Sequence, residues 1–503
     1  MSSSTHSKEL RRLALSILQP GFVGTEAPEW VLRDISDGLS SVVLFARNIA
    51  SPEQVARLTA QLRSENPALI IAIDEEAGDV TRIESSTGST RPGNFALGAV
   101  DDVELTEKVA RDLGRQLHAA GVSLNYAPSV DVNSNPDNPI IGVRSFGVDS
   151  AVVSRHAAGW IRGLQSAGVA ACAKHFPGHG DVAVDSHHGL PSYDADIEEI
   201  AAQALPPFRA ALAAGVRAVM SGHLLVPAYD PYYPATLSHR ILNDLLRKEL
   251  GFAGLIVTDA IEMGAVAGQY GIDGATVKAV VAGADAICVG GENADEGTVA
   301  LLTGALAAAV TSGELLEARL VEASDRVKAL ADWSTDLAGA VPVDPVNGDI
   351  GFVAARRAVK VTGPVQDVLP LTAAPHVVEL VPSTNLAIGK ETPWGVAVPL
   401  RERLPGTTFV RVHHQQFESG PAVLEEYALA PAAGRPMVVV VRDATRNKWM
   451  GRALEDLAAA RPDAIVVEMG LPTPSAHGAV QIFTHGATAA SGVAAAEVIA
   501  GGR

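Results

Sequence analysis

Eight short apolar runs, separated by longer stretches of helical periodicity and by loops, occupy the chain as far as about residue 335, and no other feature restricts its fold so strongly. They are "LALSIL" (13–18), "SVVLFA" (41–46), "LIIAID" (69–74), "VSLNYAP" (122–128), "VAACAKH" (169–175), "RAVMSGH" (217–223), "LIVTDA" (255–260) and "DAICVGG" (285–291). A strand that is apolar throughout has both faces covered, and strands alternating with helices form a parallel sheet under those helices. The intervening segments carry helix signals. Ser51 is placed to cap a helix with Pro52 at its first position and Val55, Leu58 and Leu62 on one face. Leu105, Val109, Leu113 and Leu117 recur every four residues up to Gly121, and Ser238 opens a similar pattern, Leu242, Leu246 and Leu250, closed by Gly251. Eight such units predict a (β/α)8 TIM-type barrel.

A stretch rich in Pro and Gly, "AGAVPVDPVNGD" (338–349), reads as a linker. Beyond it, "HVVELV", "TFVRV", "MVVVVRD", "AIVVEMG" and "QIFTHG" alternate with helical or polar segments and predict a smaller α/β sandwich domain. The expected division is a barrel over 1–340 and a sandwich over 341–503. A chain of 503 residues is too long for one ordinary core, which suits two domains.

With 57 acidic against 39 basic residues the net charge is -18, which argues against nucleic acid or an anionic membrane surface as partner. No run approaches the roughly 18 apolar residues that a membrane span needs. Cys172 and Cys288 both sit in apolar runs and are expected as buried thiols, consistent with a reducing, cytoplasmic setting. Lys8, Arg11 and Arg12 before "LALSILQPG" have the look of a secretory leader. The apolar core is too short, however, and Gln19-Pro20-Gly21 stands where a small-residue cleavage site belongs, so folded protein is expected there.

In a barrel of this kind chemistry sits at the C-terminal ends of the strands, so the polar residues closing the runs are the candidates: Asp74, Lys174 with His175, His223, and Asp259. The fifth run leads into "KHFPGHGDVAVDSHHGLP" (174–191), which holds four of the 14 histidines. His175 and His179 have the spacing of a helical zinc pair, but Pro177 and Gly178 between them break the helix that such a pair requires, and no metal or other cofactor is implied. Asp185-Ser186-His187 places a carboxylate two residues before an imidazole, a spacing that lets the acid fix the tautomer and raise the basicity of the base; such a pair is either catalytic or structural. Asp259 is either a nucleophile needing no deprotonation or a cap on the following helix. In "DEEAGDVTR" (74–82), Asp74 and Arg82 suit sugar hydroxyl groups or are solvated loop charge.

Together "VVLFARNI", "DEEAGDVTR", "IIGVRSFG", "KHFPGHGDVAVDSHHGLP", "LPPFRAALAAGVRAVMSGH" and "LRKELGFAGLIVTDAIEMGAV" resemble glycoside hydrolase family 3, in its β-N-acetylglucosaminidase branch, over most of residues 13–330. The resemblance implies Asp259 as nucleophile, His187 as general acid-base and Asp185 as its orienting partner. It also implies sugar contacts from Asp74, Arg82, Arg144, Lys174 and His175, with Met263 lining the pocket. The chain departs from the family at Ala77-Gly78, where Gly-Gly is common, and at Val182, where Thr is common.

The implied reaction is retaining, exo-acting removal of terminal β-linked N-acetylglucosamine, with muropeptides of wall recycling or chitooligosaccharides as sources of that sugar. Two other readings stand beside it. An imidazole in place of an acid-base carboxylate repels anions less, so phosphate is a second possible acceptor and the enzyme a phosphorylase. A non-catalytic amino-sugar-binding protein would keep the pocket alone.

Overall fold

Strand β1 spans Leu18–Pro20, β2 Ser41–Leu44, β3 Ile70–Ile73, β4 Leu124–Asn125, β5 Ala170–Phe176, β6 Ala218–Ser221, β7 Leu255–Thr258 and β8 Ile287–Val289. The structure is a computed structural model that describes residues 2–183, 189–338, 349–382, 389, 392–420, 422–472 and 477–501. All of these strand residues are buried, as runs that are apolar on both faces require. Strands β2 to β7 form one parallel sheet in sequence order, and β8 pairs in parallel with β1. A parallel bridge between Val257 and Ala286 joins β7 to the entry of β8, and the Ser41 hydroxyl donates to the Leu18 carbonyl at 3.2 Å between β2 and β1. The strand order thus returns on itself as a parallel α/β barrel.

Six of the eight runs contain their strand, and the fifth contains all of β5 but its last residue, Phe176. The first is a correction: "LALSIL" belongs mainly to the helix Ser2–Ser16, and the strand begins only at Leu18. Leu10, Ala14 and Leu15 are buried and share a helix face, so the run joins the end of a helix to the start of a strand. The Ser51 cap is present, its side chain accepting the Gln54 N–H over the helix Pro52–Arg63. Gly121 and Gly251 lie just past their helices at positive φ, although the second helix, Arg240–Glu249, is wound as a π-helix.

Before β8, Asp285 is fully buried and accepts from Arg319 at 2.7 Å, from Arg326 at 3.0 Å, from Arg247 and from the Ile256 N–H. This network lies at the N-terminal ends of β7 and β8, the end of a barrel that serves stability, and leaves the opposite end for chemistry.

The chain divides into two compact units, one of residues 1–76, 106–141 and 147–346, the other of 77–105, 142–146 and 347–503. The junction expected at 340/341 lies outside the described residues. In the second unit β9 (Lys360–Thr362), β10 (His376–Val381), β11 (Thr408–His413), β12 (Met437–Val441), β13 (Ile465–Glu468) and β14 (Val480–Phe483) form a sheet in the order β11-β10-β12-β13-β14-β9, parallel except for β9. Alternate residues feed two cores. Val378, Val439 and Val441 pack with Met450 and Leu454, whereas Val377, Val438 and Val440 pack with Leu400 and Ile499, which makes a three-layer sandwich. Among the described residues no helix is long and apolar enough to cross a membrane.

Candidate active site

Lys174 and His175 are neighbours in β5, and neighbours in a regular strand face opposite ways. Here the register breaks across the stretch that holds them: Ala173 pairs with Val219 and Phe176 with Ser221, three steps on β5 against two on β6. Such a bulge re-aims side chains. Both residues are buried, and both meet acids from the loops that follow β3 and β4.

Lys174 Nζ lies 2.5 Å from Asp74 Oδ1 and 2.7 Å from Glu76 Oε1. Asp74 and Glu76 follow β3, and this loop is pinned by Asn125 at the end of β4, whose amide both donates to and accepts from the Glu75 backbone at 2.8 and 2.9 Å. One ammonium between two carboxylates makes a charged, hydrogen-bonding set suited to hydroxyl groups.

His175 Nδ1 lies 2.7 Å from Asp131 Oδ2. Asp131 also accepts the N–H groups of His175 and His179, at 3.2 and 2.7 Å, and the Ser129 hydroxyl at 3.0 Å. Burial alone would push this carboxyl up, but the facing His175 and the donated hydrogen bonds outweigh it and hold it below its ordinary value. His179 is buried, with neither ring nitrogen partnered among the described residues; burial, then the neighbouring His175, push it down to about 4, so it is neutral near pH 7.

Asp259 follows β7 and is half-buried, its Oδ1 accepting the Ala260 N–H at 2.8 Å. It is not the cap of the next helix, which begins at Gly264 with Met263 as its N-cap. His223, closing β6, is fully buried; its Nδ1 meets Thr236 Oγ1 at 2.8 Å and its Nε2 the Ala260 carbonyl at 3.0 Å, so it braces the residue after Asp259. Burial pushes the Cys172 thiol up. Asp74, Lys174 and Asp259 stand at the C-terminal ends of the parallel strands β3, β5 and β7, and so at the same end of the barrel.

Of the remaining expected residues, Met263 is buried beside Asp259 in sequence, and Arg82 and Arg144 belong to the second unit, the former half-buried and the latter buried. Asp185 and His187 lie outside the described residues. Sequence reasoning missed Glu76 and Asp131. Glu76 stood in plain view in a row of three acids, and Asp131 follows the fourth run by three residues, beyond Pro128.

The model of the glycosyl hydrolase family 3 N-terminal domain matches residues 21–330, more than half of the chain. The chain belongs to glycosyl hydrolase family 3. Every expected site residue of this family 3 glycoside hydrolase falls within the matched span. A β-hexosaminidase of Stenotrophomonas maltophilia is 36% identical over 279 residues, 54% of this chain and 82% of that protein. β-Hexosaminidase A of Pseudoalteromonas piscicida is 38% identical over 269 residues, 49% of this chain but only 45% of that longer protein. A family 3 β-N-acetylglucosaminidase of Paenibacillus sp. aligns in structure with a TM-score of 0.85 at 32% identity, covering 98% of this chain and 96% of its own.

Proposed function

We propose that this family 3 hydrolase is a retaining, exo-acting β-N-acetylglucosaminidase. Asp259 attacks the anomeric carbon of the terminal sugar as the glycosidic C–O bond breaks, and His187, oriented by Asp185, delivers a proton to the departing oxygen. Water then gives its proton to His187 and attacks the same carbon, and Asp259 is released. Two inversions leave the configuration retained.

The observation that carries this reading is that Asp259 closes β7 at the same barrel end where β3 and β5 bring Asp74 and Lys174 together, a carboxylate at the strand ends alongside a built set of hydroxyl-binding charges. The names of the relatives support the choice of sugar. For Arg82 and Arg144 as sugar contacts, and for the His187–Asp185 pair, the support is the motif match.

The test follows an aryl N-acetyl-β-glucosaminide by proton NMR in phosphate buffer. The first product expected is the β anomer of free N-acetylglucosamine. An initial α anomer contradicts retention, and a sugar 1-phosphate makes the enzyme a phosphorylase.

A further inference from the structure

The segment after β12, "RDATRNK" (442–448), carries four charged residues at the C-terminal end of a central strand of the second unit's sheet. Arg442 is buried and donates through Nη2 to Asp79 Oδ2, while Asp79 Oδ1 accepts the Ala487 N–H at 2.8 Å. Asp79 lies three residues before Arg82. Its neighbour Gly78 packs on Gly93 so closely that a Cβ would meet the Gly93 Cα at 2.7 Å. The next residue, Asn94, donates through Nδ2 to the Arg144 carbonyl at 2.7 Å.

The second arginine of the segment reaches the same place by another route. Arg446 Nη2 lies 2.5 Å from Asp443 Oδ2, and its guanidinium fills the space at Gly142, where a Cβ would stand 3.1 Å from Nη2. Gly142 begins the 3-10 turn that ends at Arg144. The loop is fixed from below by Glu468, which accepts the N–H groups of Asp443 and Ala444 at 2.8 and 3.2 Å.

We infer that Arg442 and Arg446 are positioning residues, which set the Arg82 and Arg144 segments for sugar binding from within the second unit. The inference rests on the proposed sugar contacts of Arg82 and Arg144. A buried pair such as Arg442–Asp79 adds little stability over an apolar pair, and its fixed geometry suits a positioning role.

The experiment uses the full chain and an aryl N-acetyl-β-glucosaminide, with Arg442→Ala, Arg442→Lys, Arg446→Ala, Arg82→Ala, Arg144→Ala and the double variant Arg446→Ala with Arg144→Ala. Arg446→Ala is expected to raise KM roughly tenfold with kcat changed by less than about twofold, the signature of lost uniform binding. In the Arg144→Ala background its effect should vanish, because it acts through that residue. Arg442→Lys should recover part of what Arg442→Ala loses. Should Arg442→Ala fail to fold, the half-buried Arg446 carries the test. A KM raised by Arg144→Ala but not by Arg446→Ala, or an equal Arg446→Ala effect in both backgrounds, overturns the inference alone. A KM unchanged by Arg82→Ala and Arg144→Ala overturns the sugar contacts and the inference together.

Discussion

His175 Nδ1 stands 2.7 Å from Asp131 Oδ2, inside a barrel where Asp131 has no exposed surface. A ring nitrogen facing a carboxylate keeps its hydrogen, which leaves Nε2 as the acceptor atom of the ring. Asp131 therefore sets the chemistry of a residue it does not neighbour in sequence.

Asp131→Asn is predicted to cost activity more than fold. The amide has one acceptor oxygen where the carboxylate uses two, so either the ring or the two backbone N–H groups lose a partner. We expect kcat/KM to fall roughly ten- to hundredfold, the value of a hydrogen bond to a charged group. Steady-state kinetics beside a circular-dichroism melt check this; an unchanged kcat/KM would remove Asp131 from the site.

Lys174→Met removes the ammonium that lies between Asp74 and Glu76, in a place where the Glu76 side chain is only 3% exposed. Loss of one partner from a buried ion cluster costs about 3–5 kcal/mol. The variant should unfold at clearly lower denaturant concentration, and adding Glu76→Gln should restore part of the loss. Two independent, additive losses would show that the ammonium does not bridge these acids.

Glu468 gives a pH signature to the second unit. Burial first, and then the neighbouring Asp443, push its carboxyl from 4.5 up to about 7, against the backbone hydrogen bonds that favour its charge. Between those values the folded chain holds a proton that the unfolded chain has released, so this group's contribution to stability falls as pH rises from about 4.5 to 7 and is flat above. Urea unfolding across that range should show the decline in the parent and a flatter profile in Glu468→Gln. Parallel profiles would mean that Glu468 is ionised throughout.

The barrel strands are legible in sequence because burial on both faces forces unbroken apolar runs, and helix starts such as Ser51-Pro52 are legible because a cap is a local device. Where two elements abut, as at Ser16 and Leu18, their apolar residues merge into one run and the boundary is lost. The three-residue strand β9 escapes for the opposite reason, since its exposed ends make no apolar run. In the site, Lys174, His175 and Asp259 stand out because each closes a run. Glu76 reads as solvated acid until Lys174, far away in sequence, is seen beside it. Asp131 is likewise defined by partners in another strand. The joining of 77–105 to the second unit leaves no local trace at all, since it depends on pairs such as Asp79–Arg442, separated by 363 positions.

The central claim, attack by Asp259 on the anomeric carbon, is tested most directly by trapping. The enzyme is incubated with a 5-fluoro N-acetyl-β-glucosaminide, whose glycosyl-enzyme forms and breaks down slowly, then digested and analysed by mass spectrometry. The account predicts one added sugar on the peptide containing Asp259, absent from Asp259→Ala. A sugar on another residue, or inactivation and turnover that persist in Asp259→Ala, would contradict it.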